Sequence, residues 1–119
     1  MMRESQWGKG QRGEDLAARY MQQKGYEILA RNYRAMGCEI DSIAIDGDTL
    51  VFAEVKARGS EAFGLGREAV GREKQARIIR GAQAYLQERG WVDKPCRFDV
   101  LEVDLRTGKV EQIEAAFTQ

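Results

Sequence analysis

Two runs of the chain, residues 39–45 (Glu-Ile-Asp-Ser-Ile-Ala-Ile) and 49–57 (Thr-Leu-Val-Phe-Ala-Glu-Val-Lys-Ala), alternate or run apolar on either side of Asp46-Gly47-Asp48. Rich in β-branched residues and joined by an Asp/Gly turn, they predict a β-hairpin. A loop at Gly47-Asp48 sets Asp46 across from Thr49 and Asp41 across from Glu54. A loop at Asp46-Gly47 slips the register and sets Glu39 across from Glu54, with Asp41 diagonal to it. In either register Glu39, Asp41, Glu54 and Lys56 project from one face, together with Ile43, Ile45, Leu50 and Phe52. The other face, with Ile40, Ala44, Val51, Ala53 and Val55, is also apolar, which predicts a sheet covered on both sides.

Around the hairpin the periodicity changes. Residues 10–24 read as a helix with Leu16, Ala17, Tyr20 and Met21 on its apolar side and Gly25 as its stop. Residues 26–33 read as a strand, followed by a turn at Met36-Gly37. Residues 59–66 read as a glycine-bearing loop, and 72–89 as a second helix carrying Ile78, Ile79, Ala82 and Leu86 and stopping at Gly90. Pro95 precedes a strand over 96–105, Thr107-Gly108 turns, and 110–113 is a short last strand. No repeat or linker interrupts the 119 residues, so a single domain is expected. The order α-β-β-β-α-β-β predicts an α/β domain with a central mixed sheet flanked by helices.

The acids on the hairpin face are continuous with predicted core, so they are not solvent decoration. Two opposed carboxylates about 5 Å apart at an effective dielectric near 20 repel by roughly 3 kcal/mol. That is large beside the marginal stability of a domain, and a hard divalent cation is the natural offset. The cluster therefore suggests a metal-dependent phosphodiesterase. With no histidine in the chain, serine–histidine and cysteine–histidine nucleophiles and histidine-ligated zinc are excluded. Oxygen-ligand chemistry with Mg2+ or Mn2+ remains.

Charge pulls the other way. Nineteen Lys and Arg balance nineteen Asp and Glu, which argues against tight nonspecific nucleic-acid binding but permits a basic rim around an acidic centre. Rim candidates are Arg31, Arg34, Arg58, Arg67, Arg72, Lys74, Arg77 and Arg80, of which Arg34, Arg58, Lys74 and Arg77 are the candidate nucleic-acid contacts. Cys38 and Cys96 lack any Cys-x-x-Cys spacing and are expected as free thiols in a reducing cytoplasm. No apolar stretch has the length of a signal peptide core or a membrane span, so a soluble protein without a membrane partner is expected.

Gly10-x-x-Gly13-Glu14, Gly25-Tyr26, Arg31-Asn32-Tyr33-Arg34, Glu39-Ile40-Asp41, Val51-Phe52-Ala53-Glu54-Val55-Lys56, Glu68-Ala69-Val70, Lys74 and Arg97-Phe98-Asp99-Val100 together resemble the YraN-like family of uncharacterised bacterial proteins. That family is similar to restriction-endonuclease-like PD-(D/E)XK nucleases, particularly archaeal-type Holliday junction resolvases. The resemblance spans nearly the whole chain and implies a restriction-endonuclease-like three-layer core of order αβββαβ. It also implies that Asp41 and Glu54 are metal ligands, that Lys56 contacts the attacking water or the scissile phosphate, and that Glu14 joins the metal shell. DNA as partner and pairing as a homodimer are implied in the same way. Cys38, Ser42 and Arg72 depart from the family's usual glycine, large aliphatic residue and proline, and none of these positions is a ligand.

Plainer readings stand beside these. A lone Glu-x-Lys is common on exposed strands, and Lys56 could simply pair across strands. Glu14, read as lying in the first helical turn, would interact favourably with the helix dipole whatever else it did. Glu39 is a third ligand or an edge-strand acid. Asp99 interrupts an apolar strand and suggests a buried hydrogen-bonded role with Arg97 or a neighbour. Charges such as Lys74 and Arg77 usually mark a helix's solvated side. Gly8-Lys-Gly10 and Gly10-Gln-Arg-Gly13 are too short to count as phosphate or KH-type loops, and neither follows a strand. The resulting expectation is a metal-dependent endonuclease acting on branched or structured DNA. The alternative is a non-catalytic nucleic-acid-binding module or structural domain of the same fold.

Overall fold

The computed structural model describes residues 6–59 and 70–118. Most of the predicted 59–66 loop, Arg67 and Glu68-Ala69 lie outside the described residues. The elements are α1 (Gln6–Gln23), β1 (Glu27–Ala35), β2 (Cys38–Asp46), β3 (Thr49–Arg58), α2 (Arg72–Arg89), β4 (Cys96–Asp104) and β5 (Val110–Phe117). They form a mixed sheet of order β1-β2-β3-β4-β5 between the two helices, which is the predicted three-layer α/β core. The first three strands are an antiparallel meander, β3 and β4 are parallel, and β5 returns antiparallel on β4. The parallel pair follows from α2, which carries the chain back across the sheet face before β4 begins.

The hairpin uses the first of the two predicted loops: Asp46 pairs with Thr49. Gly47, at φ +60°, occupies the first central position of the two-residue loop, the position that a type II′ turn reserves for glycine. One face of the sheet buries Ala44, Val51, Ala53, Leu101 and Val103 against Ala17 and Met21 of α1. The other buries Ile43, Leu50, Phe52, Phe98 and Val100 against Ile78, Ala82, Tyr85 and Leu86 of α2. Gly25 and Gly90 close both helices in the same way. The backbone N–H of the following residue, Tyr26 or Trp91, donates back to Met21 or Leu86.

Three boundaries differ from the sequence reading. Helix α1 starts at Gln6, because hydrogen bonding rather than the apolar stripe sets a helix end, and Glu14 therefore lies well inside it and away from its first turn. Strand β5 runs on to Phe117, whose ring stacks on Phe98 at 5.0 Å, a contact that local patterning does not encode. Ile40 joins Ile43 in the α2-side core instead of facing α1, because the β2–β3 ladder stops at Ser42–Ala53 and strict alternation is not held beyond it. The outer strands are also irregular. The β1 register shifts between Ile28 and Ala30 with Asn32 at φ +54°, and the β4–β5 register shifts between Phe98 and Val100 with Ala115 at φ +49°.

Asp99, fully buried in β4, anchors a second polar centre on the α1 side. It accepts both Arg97 Nε contacts at 3.1 Å, Gln112 Nε2 at 2.8 Å and the Ala115 amide at 2.9 Å. Arg97 also reaches Asp46 at 3.0 Å, the Tyr26 hydroxyl at 2.7 Å and Glu114 at 3.1 Å. The network ties the hairpin turn, the chain after α1 and β5 to β4, which gives the predicted hydrogen-bonded role of Asp99 its partners.

Gly13 sets how closely α1 meets β3. A Cβ there would lie 2.6 Å from the Ala57 Cβ, inside any tolerable contact. Gly13→Ala is therefore expected to push α1 away from β3 and cost about 1–3 kcal/mol, read as a lower urea midpoint. Gly10→Ala, where a Cβ meets nothing within 4 Å, serves as the control.

Candidate metal and phosphodiester site

Where β2 parts from β3, the two acids meet. Asp41 would be the next partner of Glu54, but its Oδ2 instead accepts the Val55 amide at 2.8 Å. Both carboxylates are buried, Asp41 at 8% exposure and Glu54 at 6%. Glu54 projects from the face that carries Phe52, beyond the end of the α2-side core. The Lys56 ammonium lies 3.6 Å from Glu54 Oε1, and Lys74 reaches down from the first turns of α2 to the same oxygen at 2.7 Å. Two acids and two lysines, drawn from three elements, thus converge at one end of the sheet.

The electrostatics are uneven. Burial, and then the Glu54 charge, push Asp41 up to about 7, although the Val55 amide pulls the other way. Burial lowers Lys56, and neighbouring Lys74 adds to that fall. Burial acts to lower Lys74 too, but its hydrogen bond and charge contact with Glu54 leave it raised. Lys74 therefore holds its proton tightly as a counter-ion while Lys56 loses its proton more readily. Next to Asp41, the fully buried Ser42 hydroxyl finds no hydrogen-bond partner among the described residues.

A metal would find an oxygen-only donor set here. Among the described residues no group of three or more His, Cys, Asp or Glu side chains gathers to hold an ion. Two carboxylates do fit Mg2+ or Mn2+. Mg2+ keeps several of its waters and is commonly held by one or two carboxylates together with substrate phosphate.

The remaining candidates divide. Glu14 accepts Asn32 Nδ2 at 2.9 Å and its charge still acts on Asp41, which places it on the α1 flank of the site. Glu39 pairs with the exposed Arg34 at 3.0 Å. Cys38 and Glu39 line a hollow of about 510 Å³ with Arg34. The Cys38 thiol, raised by burial and by Glu54, also feels Arg77 and Lys74, so Arg77 stands near the mouth. Arg58 is turned to the buried Glu102 at 3.0 Å. Both cysteines are free thiols.

The sequence reading missed Glu102 and Asp104, both buried in β4 and paired in register with Lys56 and Arg58. For Glu102 the available signal was the one that flagged Asp99, an acid inside the apolar run 98–103, whereas Asp104 falls just past the end of that run. No helix among the described residues is long and apolar enough to cross a membrane.

Residues 13–103 match the model of a family described as Uncharacterised protein family UPF0102. A UPF0102 protein of Syntrophus aciditrophicus is 46% identical over 110 residues, covering 91% of this chain and 87% of that protein. One of Chlorobium chlorochromatii is 54% identical over 96 residues, covering 81% and 74%. A third, from Pelotomaculum thermopropionicum, is 43% identical over 106 residues, covering 88% of each. The matched span runs from the glycine that seats α1 on β3, through Asp41, Glu54, Lys56 and Lys74, to Asp99 and Glu102 of β4. The chain belongs to the UPF0102 family.

Proposed function

We propose that this protein is a Mg2+- or Mn2+-dependent endonuclease of the PD-(D/E)XK type, acting on branched or otherwise structured DNA in the cytoplasm, and pairing as a homodimer. The observation that carries the reading is the buried Asp41–Glu54 pair with Lys56 alongside. An acid pushed up to about 7 by burial and a like charge is held against its own stability, and perturbed groups of this kind gather at functional sites. Asp41 and Glu54 would hold the ion, with the Val55 amide fixing the Asp41 carboxylate. The bound ion supplies charge relief to the phosphoryl and leaving oxygens and acidifies water. Lys56 orients that water or binds a phosphate oxygen, and its lowered proton affinity suits the first role. Glu14 supports the α1 flank, and Lys74 and Arg77 face the phosphates at the mouth.

A second reading is a nucleic-acid-binding module or structural domain without turnover. The 2.7 Å Lys74–Glu54 contact favours it, because the two lysines already offset much of the repulsion between the acids. Calorimetry with Mn2+ and a gel assay on junction, flap and duplex DNA separate the two. Wild type is expected to bind the ion and to cut in a metal-dependent way, and Asp41→Asn combined with Glu54→Gln is expected to lose both. Ion binding without cutting of any of the three substrates selects the second reading, and no ion binding removes the metal site altogether.

A further inference from the structure

Glu54 Oε1 carries two ammonium groups, Lys74 at 2.7 Å and Lys56 at 3.6 Å. They stand close enough to act on each other as well as on the acid. Glu54 is buried, so its charge has little water to turn to, and a lone carboxylate there would be costly. The metal-free protein answers that charge with its own side chains. Of the two lysines, Lys56 is fixed on the same strand as Glu54, whereas Lys74 comes from outside the sheet as the third residue of α2. The Lys74 side chain is also the more exposed, 36% against 25%. The start of α2 is anchored beside it, since the Gln75 amide donates to the Gly71 carbonyl at 2.9 Å and the Gln75 side chain to the Val70 carbonyl at 2.9 Å. The flexible stem of a lysine can therefore swing out to water while the helix stays in place.

We propose that Lys74 is the resident counter-ion of the site, a tethered cation that sits on Glu54 in the metal-free protein and leaves it when Mg2+ or Mn2+ binds. This rests on the metal-site reading above and adds how entry to that site is regulated. An ammonium at hydrogen-bond distance occupies the lone pair and the space that a metal–oxygen bond needs. A divalent ion and an ammonium on one carboxylate also repel strongly at such short range. Lys56 can stay, because at 3.6 Å it is beyond hydrogen-bond distance from the shared oxygen. A monovalent ion carries no more charge than the ammonium and gains nothing by replacing a cation that the chain itself supplies, so the contact reserves the site for divalent ions. The exchange is reciprocal: whatever Lys74 contributes to the stability of the metal-free fold is subtracted from the affinity for the ion.

The test is calorimetric titration with Mn2+, together with scanning fluorimetry, of wild type and Lys74→Met, which keeps an unbranched stem and removes the charge. Lys74→Met is expected to bind Mn2+ roughly tenfold more tightly, or about 1.4 kcal/mol, and to melt roughly 5 °C lower in EDTA. At saturating Mn2+ the two proteins should melt alike, because the contact that distinguishes them is absent from the metal-bound form. Lys74→Arg restores a cation and should bind Mn2+ no more tightly than wild type. Arg77→Ala removes an exposed charge one turn along α2 that makes no contact with Glu54 among those described, and should change the affinity by less than about twofold.

A second readout uses wild type alone, so a folding defect in the methionine variant does not decide the matter. In protein labelled with carbon-13 lysine, the Lys74 Cε signal, assigned by its absence from Lys74→Arg, should move toward the position of a solvent-exposed lysine as Mg2+ saturates the site. Equal or weaker Mn2+ binding by Lys74→Met overturns the proposal. So does an equal gain in Arg77→Ala, or a Lys74 signal that stays in place while wild type binds the ion, and in each of these cases ion binding by wild type leaves the nuclease reading standing. Absence of ion binding in both wild type and Lys74→Met overturns the metal site and the proposal together. Exchange as expected in a protein that cuts no DNA leaves the proposal standing and overturns the nuclease reading alone.

Discussion

Asp41→Asn should stabilise the metal-free protein at pH 8, raising its melting temperature by roughly 10 °C. Burial and Glu54 lift the Asp41 carboxyl from 3.8 to about 7. Between those two values the folded chain keeps a proton that the unfolded chain has released, so stability falls as pH rises and the penalty is complete above pH 7. About three pKa units correspond to roughly 4 kcal/mol. That figure is an upper value, because asparagine still buries a polar amide. Its carbonyl oxygen can accept the Val55 amide as Asp41 Oδ2 does. Scanning fluorimetry in EDTA should show the gain growing from pH 5 to pH 8, and added Mn2+ should raise the wild-type melt but not the variant's. An asparagine variant that melts below wild type at pH 8 would contradict the strained-acid account.

Arg97→Ala should have a comparable effect in the opposite direction. It strips the only cation hydrogen-bonded to Asp99 among the contacts described and leaves a fully buried carboxylate with two neutral donors, Gln112 and the Ala115 amide. Removing one partner of a buried pair typically costs about 3–5 kcal/mol, and Asp46 and Tyr26 lose their contacts as well. Arg97→Lys should recover only part of this, since one ammonium cannot reproduce a fork that engages several groups at once. Glu114→Gln, at a side chain 57% exposed, should stay within about 0.5 kcal/mol. Urea unfolding at constant m value measures all three. An unchanged midpoint in the alanine variant would show that the network is not what holds β5 and the hairpin turn to β4.

Much of this was legible in the chain because it is local. The Asp46-Gly47-Asp48 turn narrows the hairpin to two registers, and either places Asp41 and Glu54 on neighbouring strands. What alternation cannot supply is where two elements distant in sequence meet. Lys74 reads as one more charge on a solvated helix face, yet the seating of α2 on the sheet delivers it to Glu54. Arg58 reads as part of a basic rim, and only the parallel β3–β4 register reveals that Glu102 takes it. Glu39 reads as a possible ligand, and only the β1–β2 register shows Arg34 beside it. Glu14 reads as part of a helix start because the apolar stripe begins late, whereas the backbone hydrogen bonds begin earlier.

The irregular outer strands have a consequence for the protein in crowded solution. A straight, unpaired border strand is a template on which further copies can stack through their main chains. Here Asn32 and Ala115 bend the two borders, and Arg31, Arg34, Glu111 and Glu114 stud them with charge. Neither border offers the flat row of amides and carbonyls that seeds fibrous growth, so the fold resists aggregation at the two places where an open sheet is most exposed to it.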